Sequence, residues 1–187
     1  MALRATIYKT ELNVADTDRG YYASHNLTLA RHPSETDERL MVRVLAYALY
    51  ADTDETLEFT RGLSENDEPD LWRKDLTGVI TLWIETGLPD ERRILKACSR
   101  SDAAVIIAYG RNADLWWQGV RNKVSRQDKL TVLKLPADAT LALEKLAERK
   151  MTLNVNIQDQ TAWVSGDKAE ATVVLERLQG HHSFSSQ

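Results

Sequence analysis

Two apolar segments with a helical pattern between them constrain the fold of this chain more than any other feature. Residues 78–87, GVITLWIETG, are dense in β-branched residues and tryptophan, as buried strands are. Residues 103–110, AAVIIAYG, form a continuously apolar run that glycine ends. The intervening LPDERRILKACSR starts with proline and acidic residues and carries arginines later, which is typical of a helix. The pattern predicts a strand, a helix and a second strand of a buried sheet.

The remaining pattern extends this sheet in both directions along the chain. Residues 3–13 and 26–31 alternate as the arms of a β-hairpin, with a polar loop over residues 15–25. A helix begins at Ser34, and two shorter strands precede the central one. After residue 110 the pattern indicates helix, strand, helix and then strands. This order predicts an α/β (α+β) fold with one mixed central β-sheet flanked by helices.

Composition limits the classes of protein that this chain can belong to. Its 187 residues suit one domain over residues 1–180 with a flexible tail over 181–187. The net charge of -4 means that any surface for nucleic acid is a local patch. Cys98 is the only cysteine, which excludes an intrachain disulfide and a cysteine-based zinc cluster. No apolar run approaches the roughly 20 residues of a membrane span, so we expect a cytoplasmic protein without a membrane segment.

Three carboxylates near the central strand are candidate site residues. Asp70 follows a proline at the start of a hairpin, and Glu85 ends the apolar strand. Glu38 falls within the apolar stripe of the first helix, where a carboxylate needs a partner, a metal or an edge position. Each also has a structural interpretation: a turn residue, a strand-end cap, and the ion-pair partner of an arginine such as Arg43 or Arg61.

The order of elements over residues 34–110 resembles the core of the PD-(D/E)XK nuclease superfamily. That superfamily has an aspartate at the start of a central strand and a (D/E)-x-K triplet at the end of the next one. Pro69-Asp70 matches the first part, Glu85 matches the second, and Glu38 matches an additional glutamate on the preceding helix. The resemblance implies that Asp70 and Glu85 bind Mg²⁺ or Mn²⁺, which would activate a water and neutralise phosphate charge.

The superfamily lysine is absent, because Gly87 occupies its position. Some members take the basic group from the following helix. Lys96 is the catalytic candidate there, although helical spacing directs it away from the buried face. Arg92 and Arg93 on the same helix, and Lys74 in the hairpin, are alternatives.

Longer strings carry a more specific resemblance. They extend over residues 2–178 and include LTLARHPSET, FTRGL, DEPDLW, LWIETGLPDERRILKA and MTLNVNIQD. Together they resemble the YaeQ family. This resemblance implies a fold built on the nuclease core, with extra strands at both ends.

Residues 111–129 form a second candidate surface. They hold five basic and two acidic residues around Trp116 and Trp117. Basic residues with aromatic ones suit single-stranded nucleic acid, through phosphate contacts and base stacking. The alternative is an amphipathic helix whose tryptophans pack in the core.

Two functions are open at this point. The first is a Mg²⁺-dependent nuclease-like phosphodiesterase in which Glu38, Asp70, Glu85 and a basic group act together. The second is a catalytically inactive nuclease fold that binds nucleic acid or a protein partner. Three carboxylates that converge within metal-bridging distance in an open cleft would support the first function, and carboxylates that disperse or are each held by a buried arginine would exclude it.

Overall fold

The computed structural model describes residues 4–61 and 67–180. Within these ranges the chain forms four helices and eleven strands, which assemble into two sheets. The helices are α1 (Asp37–Tyr50), α2 (Glu91–Arg100), α3 (Ala113–Val124) and α4 (Ala137–Glu144). The strands are β1 (Thr6–Asp16), β2 (Tyr21–Arg31), β3 (Leu57–Phe59), β4 (Leu71–Lys74), β5 (Ile80–Thr86), β6 (Ala103–Ala108), β7 (Leu130–Lys134), β8 (Lys150–Gln158), β9 (Thr161–Ser165), β10 (Glu170–Val174) and β11 (Glu176–Gln179).

The first sheet has five strands in the order β10-β9-β8-β1-β2. Strand β1 pairs antiparallel with β2 and parallel with β8, and the other neighbours are antiparallel. Buried and exposed residues alternate along its strands, so one face packs on the core and the other is open to solvent. Leu12, Leu29 and Leu153 are fully buried on the inner face.

The second sheet has six strands in the order β11-β7-β6-β5-β4-β3. Its three central strands, β5 to β7, are parallel, and α2 and α3 connect them in sequence. Side chains on the two sides of β5 therefore enter different clusters. Trp83 packs with residues of α2 and α3, whereas Leu82 and Ile84 join the main core with α1. The predicted strand-helix-strand arrangement of this region is confirmed.

Helix α1 is the element on which both sheets pack. Thr36 is its N-cap, because its side chain accepts a hydrogen bond from the backbone N–H of Arg39 at 3.1 Å. Residues 40–49 are all buried, including Arg43. A helix that is buried on nearly all sides lies within a core, and residues of both sheets join α1 in one apolar cluster.

The predicted polar loop over residues 15–25 is wrong. Strand β1 continues to Asp16 and β2 begins at Tyr21, so the turn covers only residues 17–20. The polar Asp16 is tolerated at the end of β1 because it is paired with Arg19 of the turn, whose Nε lies 2.6 Å from the buried carboxylate. The left-handed φ of Gly20, 66°, allows the tight reversal.

The prediction of one central sheet is also wrong, because the C-terminal pattern divides between two. The predicted strand EATVVLERL (170–178) becomes β10 in the five-stranded sheet and β11 in the six-stranded sheet. Buried Leu175 stands between them. Alternation of apolar residues predicts a strand but does not tell which sheet the strand joins.

Some expectations stay predictions. The tail over 181–187 lies outside the described residues, and the single-domain boundary at residue 180 and the cytoplasmic location are untested. None of the helices in the described ranges is long and apolar enough to cross a membrane.

Protonation of the buried His25 makes the free energy of unfolding depend on pH. Tyr21 Oη lies 2.8 Å from His25 Nε2, and Tyr47 Oη lies 3.4 Å from Nδ1. Burial lowers the pKa of His25, and this effect outweighs the opposite effect of Glu55 and Asp52. A lowered folded-state pKa means that the unfolded chain binds more protons, so stability is lost as pH falls below the ordinary value of 6.5.

We therefore expect the free energy of unfolding of the wild type to fall more between pH 7.5 and pH 5.5 than that of His25→Gln, which cannot titrate. Urea denaturation at both pH values measures this. An equal change in the two proteins would show that His25 does not contribute.

Candidate functional site

The pairing of β4 with β5 places Asp70 and Glu85 next to each other at one end of the hairpin. Leu71 pairs with Ile84, and the N–H of Asp70 donates to the carbonyl of Ile84 at 3.0 Å. Asp70 therefore lies opposite the end of β5 that carries Glu85. The side chains of both residues are almost completely shielded from solvent, with 1% and 6% of the residue surface exposed.

Asp70 is held by donors from two elements. Its Oδ2 accepts hydrogen bonds from the N–H of Thr86 at 2.7 Å and from Thr86 Oγ1 at 2.8 Å. Its Oδ1 pairs with Arg39 Nη2, which reaches it from α1. Both oxygens of this carboxylate are thus engaged, one by the neighbouring strand and one by a guanidinium.

Glu85 is also held by two donors, one from α2 and one from its own strand. Arg93 Nε on α2 donates to its Oε1 at 2.6 Å, and the indole N–H of Trp83 donates to its Oε2 at 2.9 Å. Burial raises the pKa of Glu85, and the charge of Asp70 raises it further, while Arg93 and Trp83 act in the opposite direction. The two carboxylates are therefore close enough to repel each other.

Arg39 connects Asp70 to a second buried acid. Its Nη1 lies 2.9 Å from Glu35 Oε1, and Arg43 contacts the same carboxylate at 2.7 and 2.8 Å. Burial lowers the pKa of Arg39, but Asp70 and Glu35 outweigh it and hold that pKa above its ordinary value. The order Arg43–Glu35–Arg39–Asp70 is an alternating chain of charges, which we call the α1 charge chain.

Glu38 lies beside this cluster but bonds elsewhere. The hydroxyl of Thr140 on α4 donates to its Oε1 at 2.7 Å. Burial raises the pKa of Tyr109 to about 12. The charges of Glu38 and Asp70 contribute to this rise, whereas Arg39 lowers the pKa. Glu38 and Asp70 therefore both lie near Tyr109. Glu38 is therefore within electrostatic reach of the site, and Arg43, one of its predicted arginine partners, bonds Glu35 and the carbonyl of Ala30 instead.

Lys96 pairs with a different carboxylate. Its amine pairs with the exposed Asp67. Arg93, one of the alternatives from sequence, is the helix α2 residue that reaches Glu85, whereas Arg39 was not expected from sequence. The spacing of Glu35, Arg39 and Arg43, four residues apart each time, is the signal that could have found the α1 charge chain.

The matches with known proteins show to which family the chain belongs. The family model described as YaeQ protein matches residues 1–175. The chain belongs to the YaeQ family. The uncharacterized protein YaeQ of Escherichia coli (strain K12) is 49% identical over 181 residues, which cover 96% of this chain and 98% of that protein.

Two solved YaeQ structures have the same fold. The YaeQ protein from Xanthomonas axonopodis pv. citri superposes with a TM-score of 0.91 at 51% identity, covering 95% of this chain and 99% of that one. The YaeQ protein from Pseudomonas syringae superposes with a TM-score of 0.89 at 39% identity, covering 95% and 97%. The arrangement of strands described above is therefore that of the YaeQ family.

The second candidate surface, residues 111–129, forms α3 and the turn after it in this YaeQ chain. Trp116 and Trp117 are partly buried against the cluster of α2 and the six-stranded sheet. The indole N–H of Trp116 donates to the carbonyl of Pro89 at 2.7 Å. The tryptophans thus follow the packing alternative, and they are engaged in holding α3 to the segment before α2.

Proposed function

We propose that this YaeQ chain is a divalent-metal-dependent phosphodiesterase that acts on nucleic acid, with Asp70 and Glu85 as its metal ligands. The observation that carries the proposal is the side-by-side placement of these two carboxylates. They do not lie in an open cleft, and an arginine holds each of them, but Arg39 and Arg93 keep 16% and 27% of their side-chain surface exposed and so are not the buried partners that would exclude catalysis. Buried ion pairs contribute little net stability compared with apolar residues of similar volume. Two of them at the end of one hairpin, with burial raising the pKa of Glu85, favour a role in chemistry.

The residues fit a divalent cation by ligand type, and the fit requires an exchange. Carboxylate oxygens are the ligands that Mg²⁺ and Mn²⁺ prefer. Every carboxylate oxygen of Asp70 and Glu85 already accepts a hydrogen bond, so the cation would replace Arg39 and Arg93. No three His, Cys, Asp and Glu side chains are grouped as metal ligands in the described part of the chain, so water, backbone or substrate oxygens would complete the shell.

The exchange would leave the site with a positive charge that a phosphodiester can neutralise. Asp70 and Glu85 carry two negative charges, and Arg39 and Arg93 carry two positive ones, so the resting site is balanced. A guanidinium released from its carboxylate has a planar fork of donors that suits phosphate oxygens. In this proposal the two arginines bind the phosphodiester and stabilise its developing charge, which is the role of the missing lysine.

The other predicted residues have smaller parts in this proposal. A bound Mg²⁺ would supply a water of lowered pKa and neutralise phosphate charge. Glu38 adds negative charge from the α1 side of the site. Lys96 is replaced as the basic group by the arginines, since its amine pairs with Asp67.

Metal titration with a matched variant tests the proposal. We expect calorimetry to show one Mn²⁺ or Mg²⁺ site in the wild type, with affinity at least tenfold weaker in Glu85→Gln. Glu58→Gln, a change of the same kind at an exposed residue of β3, should bind metal as the wild type does. Labelled single- and double-stranded DNA and RNA should then be cleaved only with metal, at rates lowered roughly 100-fold by Glu85→Gln.

Binding that is equally weak in all three proteins would contradict the proposal. Metal binding without cleavage of any of the four substrates would keep the ligand assignment and reject the reaction.

A second function has its own observation, the state of the lysine position. Gly87 has a φ of 106°, a left-handed conformation in which lysine would be strained. Together with the arginine-held carboxylates, this favours a nuclease fold that has lost catalysis and binds a partner. This candidate predicts no metal site at millimolar Mg²⁺ or Mn²⁺ in the wild type.

A further inference from the structure

The outer face of the five-stranded sheet carries uncharged polar side chains across its middle. Two rows of paired residues cross it. The first, which we call the amide row, consists of Ser24, Asn13, Asn154 and Ser165. The second, which we call the aromatic row, consists of Tyr22, Ala15, Asn156 and Trp163. All of them point away from the core, because the residues between them along each strand are buried or, for Ala23, half-buried against the core.

Hydrogen bonds within the amide row orient its side chains. Asn13 Nδ2 donates to Asn154 Oδ1 at 3.1 Å, and Ser24 Oγ donates to Asn13 Oδ1 at 2.6 Å. An amide has two N–H donors and two lone pairs on its oxygen, so each asparagine keeps capacity for a ligand. The row therefore presents both donors and acceptors in a fixed direction.

Two aromatic rings stand at the sides of this polar centre. Tyr22 is 65% exposed and Trp163 is 43% exposed, although both are large and apolar. Three strand spacings separate them, about 14 Å. A shallow depression of about 410 Å³ lies beside Tyr22 over Ala15, Asn13 and Asn154. The small side chain of Ala15 leaves the floor low between the rings.

The charge of this face excludes some classes of ligand. Lys9, Glu11, Lys150 and Glu170 lie around the rows and carry both signs. A nucleic acid needs a surplus of positive charge, which this surface does not have. A protein partner would also use the exposed rings of Tyr22 and Trp163. However, the middle of the face between them, with Asn13, Asn154 and Asn156, is polar, whereas the centres of protein interfaces are apolar.

We propose that this outer face binds a neutral oligosaccharide. Sugar hydroxyls both donate and accept hydrogen bonds, as the amides of Asn13, Asn154 and Asn156 do. The apolar faces of sugar rings match the exposed rings of Tyr22 and Trp163, which keep a polar N–H or O–H at the edge. The absence of net charge on the sugar matches the balanced charge of the face. This binding site is separate from Asp70 and Glu85 and does not depend on the proposed reaction.

Titration with neutral hexasaccharides tests this proposal. The probes are linear hexamers of glucose in α-1,4 linkage, glucose in β-1,4 linkage and N-acetylglucosamine, each added up to about 10 mM. We expect at least one to bind with a Kd below about 1 mM by calorimetry. Tyr22→Ala and Trp163→Ala should each weaken it at least tenfold. Leu115→Ala, which removes an exposed apolar side chain from α3, should leave it unchanged.

Three outcomes would overturn the proposal. The first is the absence of binding by all three hexamers at 10 mM. The second is binding that Tyr22→Ala and Trp163→Ala do not weaken. The third is a dimer in sedimentation equilibrium that Trp163→Ala dissociates, because the face would then be covered by a second copy of the chain.

Discussion

Arg39→Ala is expected to lower the free energy of unfolding by about 3–5 kcal/mol, the usual cost of removing one partner of a buried ion pair. The guanidinium of Arg39 is the link between Glu35 and Asp70 in the α1 charge chain. Without it, Asp70 keeps the hydrogen bonds from Thr86 but loses its counter-charge, and Glu35 keeps only Arg43. Two carboxylates with almost no solvent contact are left with less compensation.

Urea denaturation measures this loss, and two further variants interpret it. Lys96→Ala removes an ion pair to the exposed Asp67 and should change stability little. Arg39→Ala combined with Asp70→Asn should recover part of the loss, since the uncompensated charge is gone. If Arg39→Ala costs no more than Lys96→Ala, the α1 charge chain does not contribute to the folded state as described.

Trp83→Ala is expected to cost a similar amount, about 3–5 kcal/mol, for a different reason. Trp83 is fully buried in the cluster that joins β5 to α2 and α3, so its removal leaves a large cavity. Trp83→Phe keeps an aromatic ring but loses the N–H that donates to Glu85, and we expect it to cost about 1–3 kcal/mol.

A more exposed tryptophan, Trp163, provides a control for this prediction. Trp163→Ala removes the same side chain from the solvent-facing side of the other sheet, where it is 43% exposed and we expect a change of about 1 kcal/mol or less. Thermal or urea unfolding of the three variants gives the order Trp83→Ala, Trp83→Phe, Trp163→Ala from most to least destabilised. Any other order would contradict the assignment of Trp83 to the core.

Local patterns predicted the central elements of the fold because those elements are determined by local burial. The strands around Trp83 and Ile106 and the helix between them follow from apolar density and helix-start residues. The division into two sheets could not be found this way. The choice between sheets at Leu175 depends on which strand edges are available in three dimensions, and these come from distant parts of the chain.

The site shows the same limit in a different form. Asp70 and Glu85 could be placed together from sequence, because the superfamily pattern and the hairpin both bring them to one end. The partner of Asp70 could not be predicted, because the helix pattern gives Arg39 the appearance of an ordinary charged residue on the exposed side of the helix. The direction of the Arg39 side chain depends on how α1 packs, and the two sheets on either side of α1 determine that packing.

The parallel pairing of β1 with β8 has a consequence for how this protein reaches its native state. The pairing joins residues 9–16 to residues 150–157, so the two paired strands are separated by about 140 positions in the sequence. Contacts of such long range slow folding, because the chain loses loop entropy before it gains them. During synthesis β1 and β2 leave the ribosome well before β8, so the edge of β1 that pairs with β8 stays open in the meantime. Helix α1 follows the hairpin directly and can cover its apolar face, but the open edge of β1 can pair with strands of other chains until β8 occupies it.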